Sequence, residues 1–304
     1  MADLILHHYP MSPFSEKVRA MLGYAGLGWQ SVTVREMPPR PNLEALTGGY
    51  RKIPVAQDGA DVFCDTRVIA REIAARGNRP ELVLEHSSEA VQAFVREADL
   101  EIFLACVIGF SGPGMMVKLA KRTSTLNALR FLKDRVSIGR TARVSAMKPK
   151  QARAKIREHL ERLEGMLERD FLFGDTPCIA DFSAYHGLWY VRDLAEHLVM
   201  KGYPSVNAWM DRIEAFGHGA ARELSQETAL AKARDAEPRP VNMKGEDPLL
   251  GKQVSIAPDD YARDPVVGTL VASSANESIL RLENDDTGVL HLHFPKEGFR
   301  VWEP

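Results

Sequence analysis

With 304 residues, 45% of them hydrophobic and 26% charged, the chain can bury a sizeable core and fill two or three domains. A net charge of −2 offers no overall field for nucleic acid or membrane, no run has the length to span a bilayer, and "MADLILHH" lacks the regions of a secretion signal. The cysteines, Cys64, Cys106 and Cys178, are scattered and form no C-x-x-C pair, which excludes a disulfide framework and a zinc site and leads to the expectation of a soluble cytoplasmic protein.

Residues 1 to about 80 alternate strands and helices. "LILHH" reads as a strand, and from Pro13 the residues Val18, Met21, Leu22 and Ala25 recur at helical spacing, with Gly26 at the C-cap. "WQSVTV" is a second strand, Pro41 to Leu46 a short helix, and "IPVAQ" and "DVFC" flank the turn "DGA" of a hairpin. In "DTRVIAREIAARG", Asp65 or Thr66 caps a helix that Gly77 ends.

From about 86 to 235 strand signals vanish. "SSEAVQAFVREADLEIFLACVIGF" carries a serine cap, and the next charged helix sets Ile156, Leu160, Leu163 and Leu167 on one stripe. "IADFSAYHGLWYVRDLAEHL" is apolar nearly all round and reads as a buried central helix, with further helices at "YPSVNAWMDRIEAF" and after "GHGA". The polar run "AKARDAEPRPVNMKGEDP", with three prolines, is a linker. Beyond it the period becomes two: "ESILRLE" and "GVLHLHF" flank the turn "NDDTG", and "GKQVSIAP" and "GFRVW" add strands. The resulting plan is an α/β unit over 1–80, an all-α bundle over 86–235 and a small antiparallel β extension over 245–304.

The chemistry sits at helix starts. In "YPMSPFS", Pro13 suits the first helical position and Ser12 the N-cap, where a hydroxyl and the positive end of the helix dipole can meet a thiolate or phosphate. On this stretch alone, plain capping worth about 1 kcal/mol is the simpler account. The proline after Ile53 in "RKIPVAQ" invites a cis peptide, which leaves the preceding residue's backbone open to an extended peptide. Asp65 and Thr66, opening the next helix, can grip an amino-acid head group or serve as ordinary caps.

Together these features resemble the glutathione transferase superfamily. "SPFSEKVRAML" is similar to the motif of its serine-type members, "KIPVAQDGADVFCDT" to its cis-proline and γ-glutamyl segment, and "FLFGDTPCIADFSAY" to the capping-box stretch of its helical domain. The resemblance covers about residues 4 to 235 and implies a thioredoxin-like domain followed by a helical domain. It further implies glutathione as co-substrate, no metal, and a homodimer. Carried over to this chain, Ser12 would donate to the glutathione thiolate, with Ser15 as the alternative and Phe14 in the same site. Lys52 would lie near the glycine carboxylate, Ile53 would pair with the cysteinyl backbone beside cis-Pro54, and Asp65 and Thr66 would hold the γ-glutamyl group. One charge-assisted hydrogen bond of about 1.5–3 kcal/mol that favours only the thiolate lowers a thiol pKa near about 8.5 by roughly 1–2, so one serine suffices.

This reading has the thiolate attack a small, hydrophobic electrophile held against the helical domain. A non-catalytic binding module of the same fold competes with it, although a pure scaffold has no reason to keep Lys52, Asp65 and Thr66. A glutathione-dependent reductase or dehalogenase would better fit a cysteine at position 12. Thr66 stands where serine is usual, and Cys178 stands where Ser or Thr would cap, as a small buried residue rather than a nucleophile. Lys118 to Arg157 holds thirteen Lys or Arg against one acid, Asp134; a solvated face is the plainer account, an anionic substrate or partner the sharper one, and poor aromatic interleaving argues against nucleic acid. His291 and His293 share one face of a strand, where exposed polar positions are expected rather than a metal site, and His7 and His8 are expected to pack at a strand end.

Overall fold

The computed structural model describes residues 3–122, 124–141, 147–241 and 247–304. Strand β1 (Leu4–His8) is buried along its whole length and pairs in parallel with β2 (Gly28–Thr33) and antiparallel with β3 (Val55–Asp58), which turns back as β4 (Asp61–Cys64). Helices α1 (Pro13–Tyr24) and α3 (Thr66–Gly77) share one hydrophobic core with the helical unit, while α2 (Pro41–Thr47) packs in a second core. Helix α3 ends on Asn78, which takes the left-handed cap position at φ 52°. Gly77 instead serves packing, since a Cβ there would come within 2.8 Å of the Ala25 Cβ.

The helical unit follows as α4 (Glu89–Glu97), α5 (Phe103–Phe110), α6 (Pro113–Arg122), α7 (Thr125–Thr141), α8 (Pro149–Met166), α9 (Ile179–Trp189) and α10 (Pro204–Glu214). A π turn over Ala98–Ile102 joins α4 to α5, an irregularity often met at functional sites. Helix α9 is buried from Ile179 to Leu188, as its uniformly apolar sequence requires. Asp181 fixes its start, accepting from the backbone N–H groups of Cys178 and Leu172 and from Trp209 Nε1, each at 2.9 Å.

The stretch expected to be wholly helical holds one strand. β5 (Ala220–Glu223) pairs in parallel with β2 at the edge of the sheet, ahead of helix α11 (Gln226–Arg234). All four of its residues are exposed, so it has no hydrophobic period to read.

The C-terminal strands β6 (Gln253–Pro258), β7 (Val266–Ser273), β8 (Glu277–Asn284), β9 (Gly288–Pro295) and β10 (Phe299–Trp302) are antiparallel to one another, as expected. They do not stand apart. β9 lies in parallel against β4, with Asp61 opposite His291 and Phe63 opposite His293, so one ten-stranded sheet runs β10-β6-β7-β8-β9-β4-β3-β1-β2-β5. Leu290, Leu292 and Phe294 enter the second core with Val62, Leu43, Leu46 and the α11 residues Ala229 and Ala233.

The opposite face of β9 corrects the expectation of exposed histidines. His291 and His293 are only 7% and 6% exposed. His293 stacks on Phe63 and donates from Nε2 to Asp61 at 2.8 Å and from Nδ1 to Glu277 at 3.2 Å. Helix α3 and the proline-containing linker cover this face. In the linker the Arg239 backbone N–H donates to Asp61 at 2.9 Å, and its guanidinium reaches Glu72 at 2.8 Å and Asp58 at 2.5 Å. The boundary expected at 245 lies outside the described residues, as do positions 123 and 142–146 of the basic segment.

Burial alone would lower the His293 pKa, but hydrogen bonds to Asp61 and Glu277 and their charges raise it above the ordinary value of 6.5. A raised folded-state pKa contributes stability that is fully present below the unfolded value and lost as pH climbs through the folded one. His293→Gln is therefore expected to cost roughly 3 kcal/mol near pH ~6 and clearly less near pH ~9, read from denaturant midpoints. An equal loss at both pH values would contradict the imidazolium assignment.

Candidate active-site cleft

A cleft of about 340 Å³ opens where the start of α3, the entry to β3, the α4–α5 corner and two loops of the C-terminal strands meet. This is within the range of small-molecule sites.

Ser12 is the N-cap of α1, with extended backbone at φ −84° and ψ 117°, and Pro13 follows at the first helical position. The Ser12 hydroxyl accepts from the Ser15 backbone N–H at 3.2 Å and is only 2% exposed. Ser15 is fully buried, and its hydroxyl has no hydrogen-bond partner among the described residues. Neither serine lines the cleft. Phe14 does, its ring braced by Phe103 at 4.6 Å and His186 at 4.5 Å.

The Ile53–Pro54 peptide is cis, and both residues line the cleft. Asp65 caps α3 at φ 118°, a conformation that residues with a side chain rarely adopt and that concentrates at functional positions. Its carboxylate accepts from the Arg67 backbone N–H at 2.9 Å and from Arg67 Nε at 3.3 Å. Burial pushes the Asp65 pKa up, but the charges of Arg67 and Lys52 and the Arg67 N–H bond hold it below the usual carboxylate value. Thr66, the first residue of α3, lines the cleft beside it.

Lys52 has a partner that its neighbours in sequence do not announce. Its ammonium donates to both oxygens of Asp260, at 2.6 and 2.9 Å, and lies 4.2 Å from the centre of the Tyr261 ring. Glu297 and Gly298, from the β9–β10 turn, close the cleft near Arg67 and are tied to the first loop by Asp259 N–H donating to Gly298 O at 3.0 Å. The β extension thus forms part of the cleft wall.

Sequence reasoning missed Tyr50, Arg67, Asp99 and these loops. Asp99 faces the cleft from the π turn and holds buried Lys17 at 2.7 Å. Tyr50 stands two positions before Lys52, a proximity that offered a signal; "APDDY" offered only a turn. His7 and His8 are absent from the lining: His7 Nε2 donates to Gln57 at 2.9 Å, and His8 bonds Ser31 at 3.0 Å and accepts from Arg19 at 3.0 Å. Burial first, then the nearby Asp181 charge, pushes the Cys178 thiol up to about 12. In the basic segment, Lys118 pairs with Glu196 at 2.6 Å, Lys155 with Glu101, and Asp134 with Arg51. Among the described residues no helix is long and apolar enough to cross a membrane, and no group of three or more His, Cys, Asp or Glu is placed to hold a metal ion.

The models for the glutathione S-transferase N-terminal and C-terminal domains match residues 6–81 and 125–212. A GST-like protein from Pseudomonas syringae of known crystal structure is 37% identical with a TM-score of 0.80, over 100% of both chains. The chain belongs to the glutathione S-transferase superfamily. It is also similar to FtsZ-localized protein A of Caulobacter vibrioides, 26% identical over 228 residues that make up 69% of this chain and 86% of that protein. The structure of FzlA from C. crescentus matches with a TM-score of 0.51 at 25% identity, over 70% of this chain and 88% of that one.

Because the Ser12 hydroxyl caps α1, Ser12→Ala is expected to cost about 1 kcal/mol of stability and Ser12→Gly only a few tenths. Chemical denaturation of both variants checks this; equal losses would show that the cap contributes little.

Proposed function

We propose that the cleft binds a γ-glutamyl thiol of the glutathione type and that the protein conjugates the whole thiol, through its sulfur, to a small electrophile. What carries this reading is that six of the residues nominated from sequence, Phe14, Lys52, Ile53, Pro54, Asp65 and Thr66, line one cleft at the start of α3. In this proposal Asp65 and Thr66, with the first N–H groups of α3, hold the γ-glutamyl group, a task suited to a helix N-terminus. The Ile53 backbone pairs with the cysteinyl unit. Ser12 does not itself line the cleft but stands two positions before Phe14, which does; its oxygen accepts from Ser15, and in this proposal its O–H proton is given to the thiolate. Val95 and Leu100 supply apolar wall for the electrophile. A cytoplasmic homodimer belongs to the same proposal.

A second reading, a binding module without catalysis, has its own support. The name of the Caulobacter relative places it with FtsZ, and α7 exposes Leu126, Leu129 and Leu132 beside Arg130 and Lys133.

Calorimetry and ultraviolet absorbance of the bound thiolate separate the two. Wild type and Ser12→Ala are expected to bind glutathione or its amide comparably, with the bound thiol pKa higher by roughly 1–2 in the variant. An unchanged thiol pKa would remove Ser12 from the chemistry, and no binding of either thiol at millimolar concentration would contradict the transferase reading.

A further inference from the structure

The Lys52 end of the cleft has the wrong charge for a second ligand carboxylate. Five carboxylates line the cleft, from Asp65, Asp99, Asp259, Asp260 and Glu297, against three cations, Lys52, Arg67 and Arg96, with Asp99 also paired to buried Lys17 behind the wall. Each cation already has a carboxylate. Lys52 is held by Asp260, Arg67 lies 3.3 Å from Asp65 and 3.8 Å from Glu297, and Arg96 is 3.4 Å from Glu297. Asp259 is exposed at the mouth, and its carboxylate has no partner among the described residues. A ligand carboxylate arriving at Lys52 would have to share the ammonium with Asp260, which already takes two of its three N–H donors, and would leave two carboxylates side by side.

A separate observation points to a ligand at the same end. Tyr50 lines the cleft, is 3% exposed, and its hydroxyl has no hydrogen-bond partner among the described residues. A buried hydroxyl left unpaired costs about 1–3 kcal/mol, which a ligand carbonyl accepting from it would recover.

We infer that this cleft is built for a γ-glutamyl thiol whose far end is an amide, neutral or cationic, rather than a free carboxylate. The inference rests on the γ-glutamyl reading of Asp65 and Thr66 and adds the identity of the opposite end. An amide gives Tyr50 a carbonyl to donate to and presents an N–H to Asp260 without breaking its pair with Lys52. An amine carried beyond the amide meets Asp259. Of the selecting groups, Tyr50 comes from the N-terminal unit, and Asp259 and Asp260 come from the β extension, which is how strands remote from the thiol end contribute to specificity.

The test is calorimetry on the full chain with glutathione, glutathione amide and the spermidine amide of glutathione. Wild type is expected to bind the spermidine amide at least about tenfold more tightly than glutathione, with the simple amide between. The gap should narrow as salt rises, because exposed charges are screened. Asp260→Asn, which removes one carboxylate and releases Lys52, is expected to shrink the gap at least about threefold. Glutathione binding as tightly as either amide, or a gap insensitive to salt in wild type, overturns the inference while leaving the γ-glutamyl reading intact. Failure of all three thiols to bind at millimolar concentration overturns both.

Discussion

The pairing of β9 with β4 is the constraint on which the rest of the molecule depends. β4 would otherwise end the thioredoxin-like sheet with a row of unpaired backbone groups, a liability that folded proteins cover or block. Here it is covered by the parallel ladder Asp61–His291, Val62–Leu292 and Phe63–His293. The register is specific because side chains alternate: a slip of one residue would drive the histidines into the core occupied by Leu43 and Leu46 and turn Leu290 and Leu292 toward the charged face. The buried contacts of His293 with Asp61 and Glu277 reinforce it.

Once β9 is in place, two connections between the added strands reach the start of α3. Asp259, Asp260 and Tyr261 arrive from one and Glu297 and Gly298 from the other, pinned together by a backbone hydrogen bond. This converts what would be an open groove into a cleft and supplies Lys52 with an internal counter-ion. The same edge that the extension protects is thus the route by which it reaches the ligand end of the domain. The similarity to the Pseudomonas syringae protein runs over both chains entire, β6 to β10 included, whereas that to FzlA covers 70% of this chain.

Much of this was legible in the sequence. Period-two patterning located β8 and β9, though β7 (Val266–Ser273) went unnamed; the serine–proline pair placed the start of α1, and the spacing of Ile53–Pro54 and Asp65–Thr66 picked out segments that do meet in one cleft. Other features were not legible, for physical reasons. β5 is short and wholly exposed, so it lacks a hydrophobic signature. Alternation showed that His291 and His293 face away from Leu290 and Leu292, but not that α3 and Arg239 cover that face. The Lys52–Asp260 pair joins residues 208 positions apart, and no local pattern encodes such a contact. Ser12 was read as a cap or a thiolate donor; its bond to Ser15 establishes the first role, and the second belongs to the proposal.

The central claim is that the β extension is a working wall of the ligand cleft. Hydrogen exchange of the full chain, with and without the spermidine amide of glutathione, tests it most directly. The account expects slowed exchange on binding at the start of α3 and, together with it, in the loops carrying Asp260–Tyr261 and Gly298. Protection at α3 with no change in either loop would contradict the claim and reduce the extension to an edge cover.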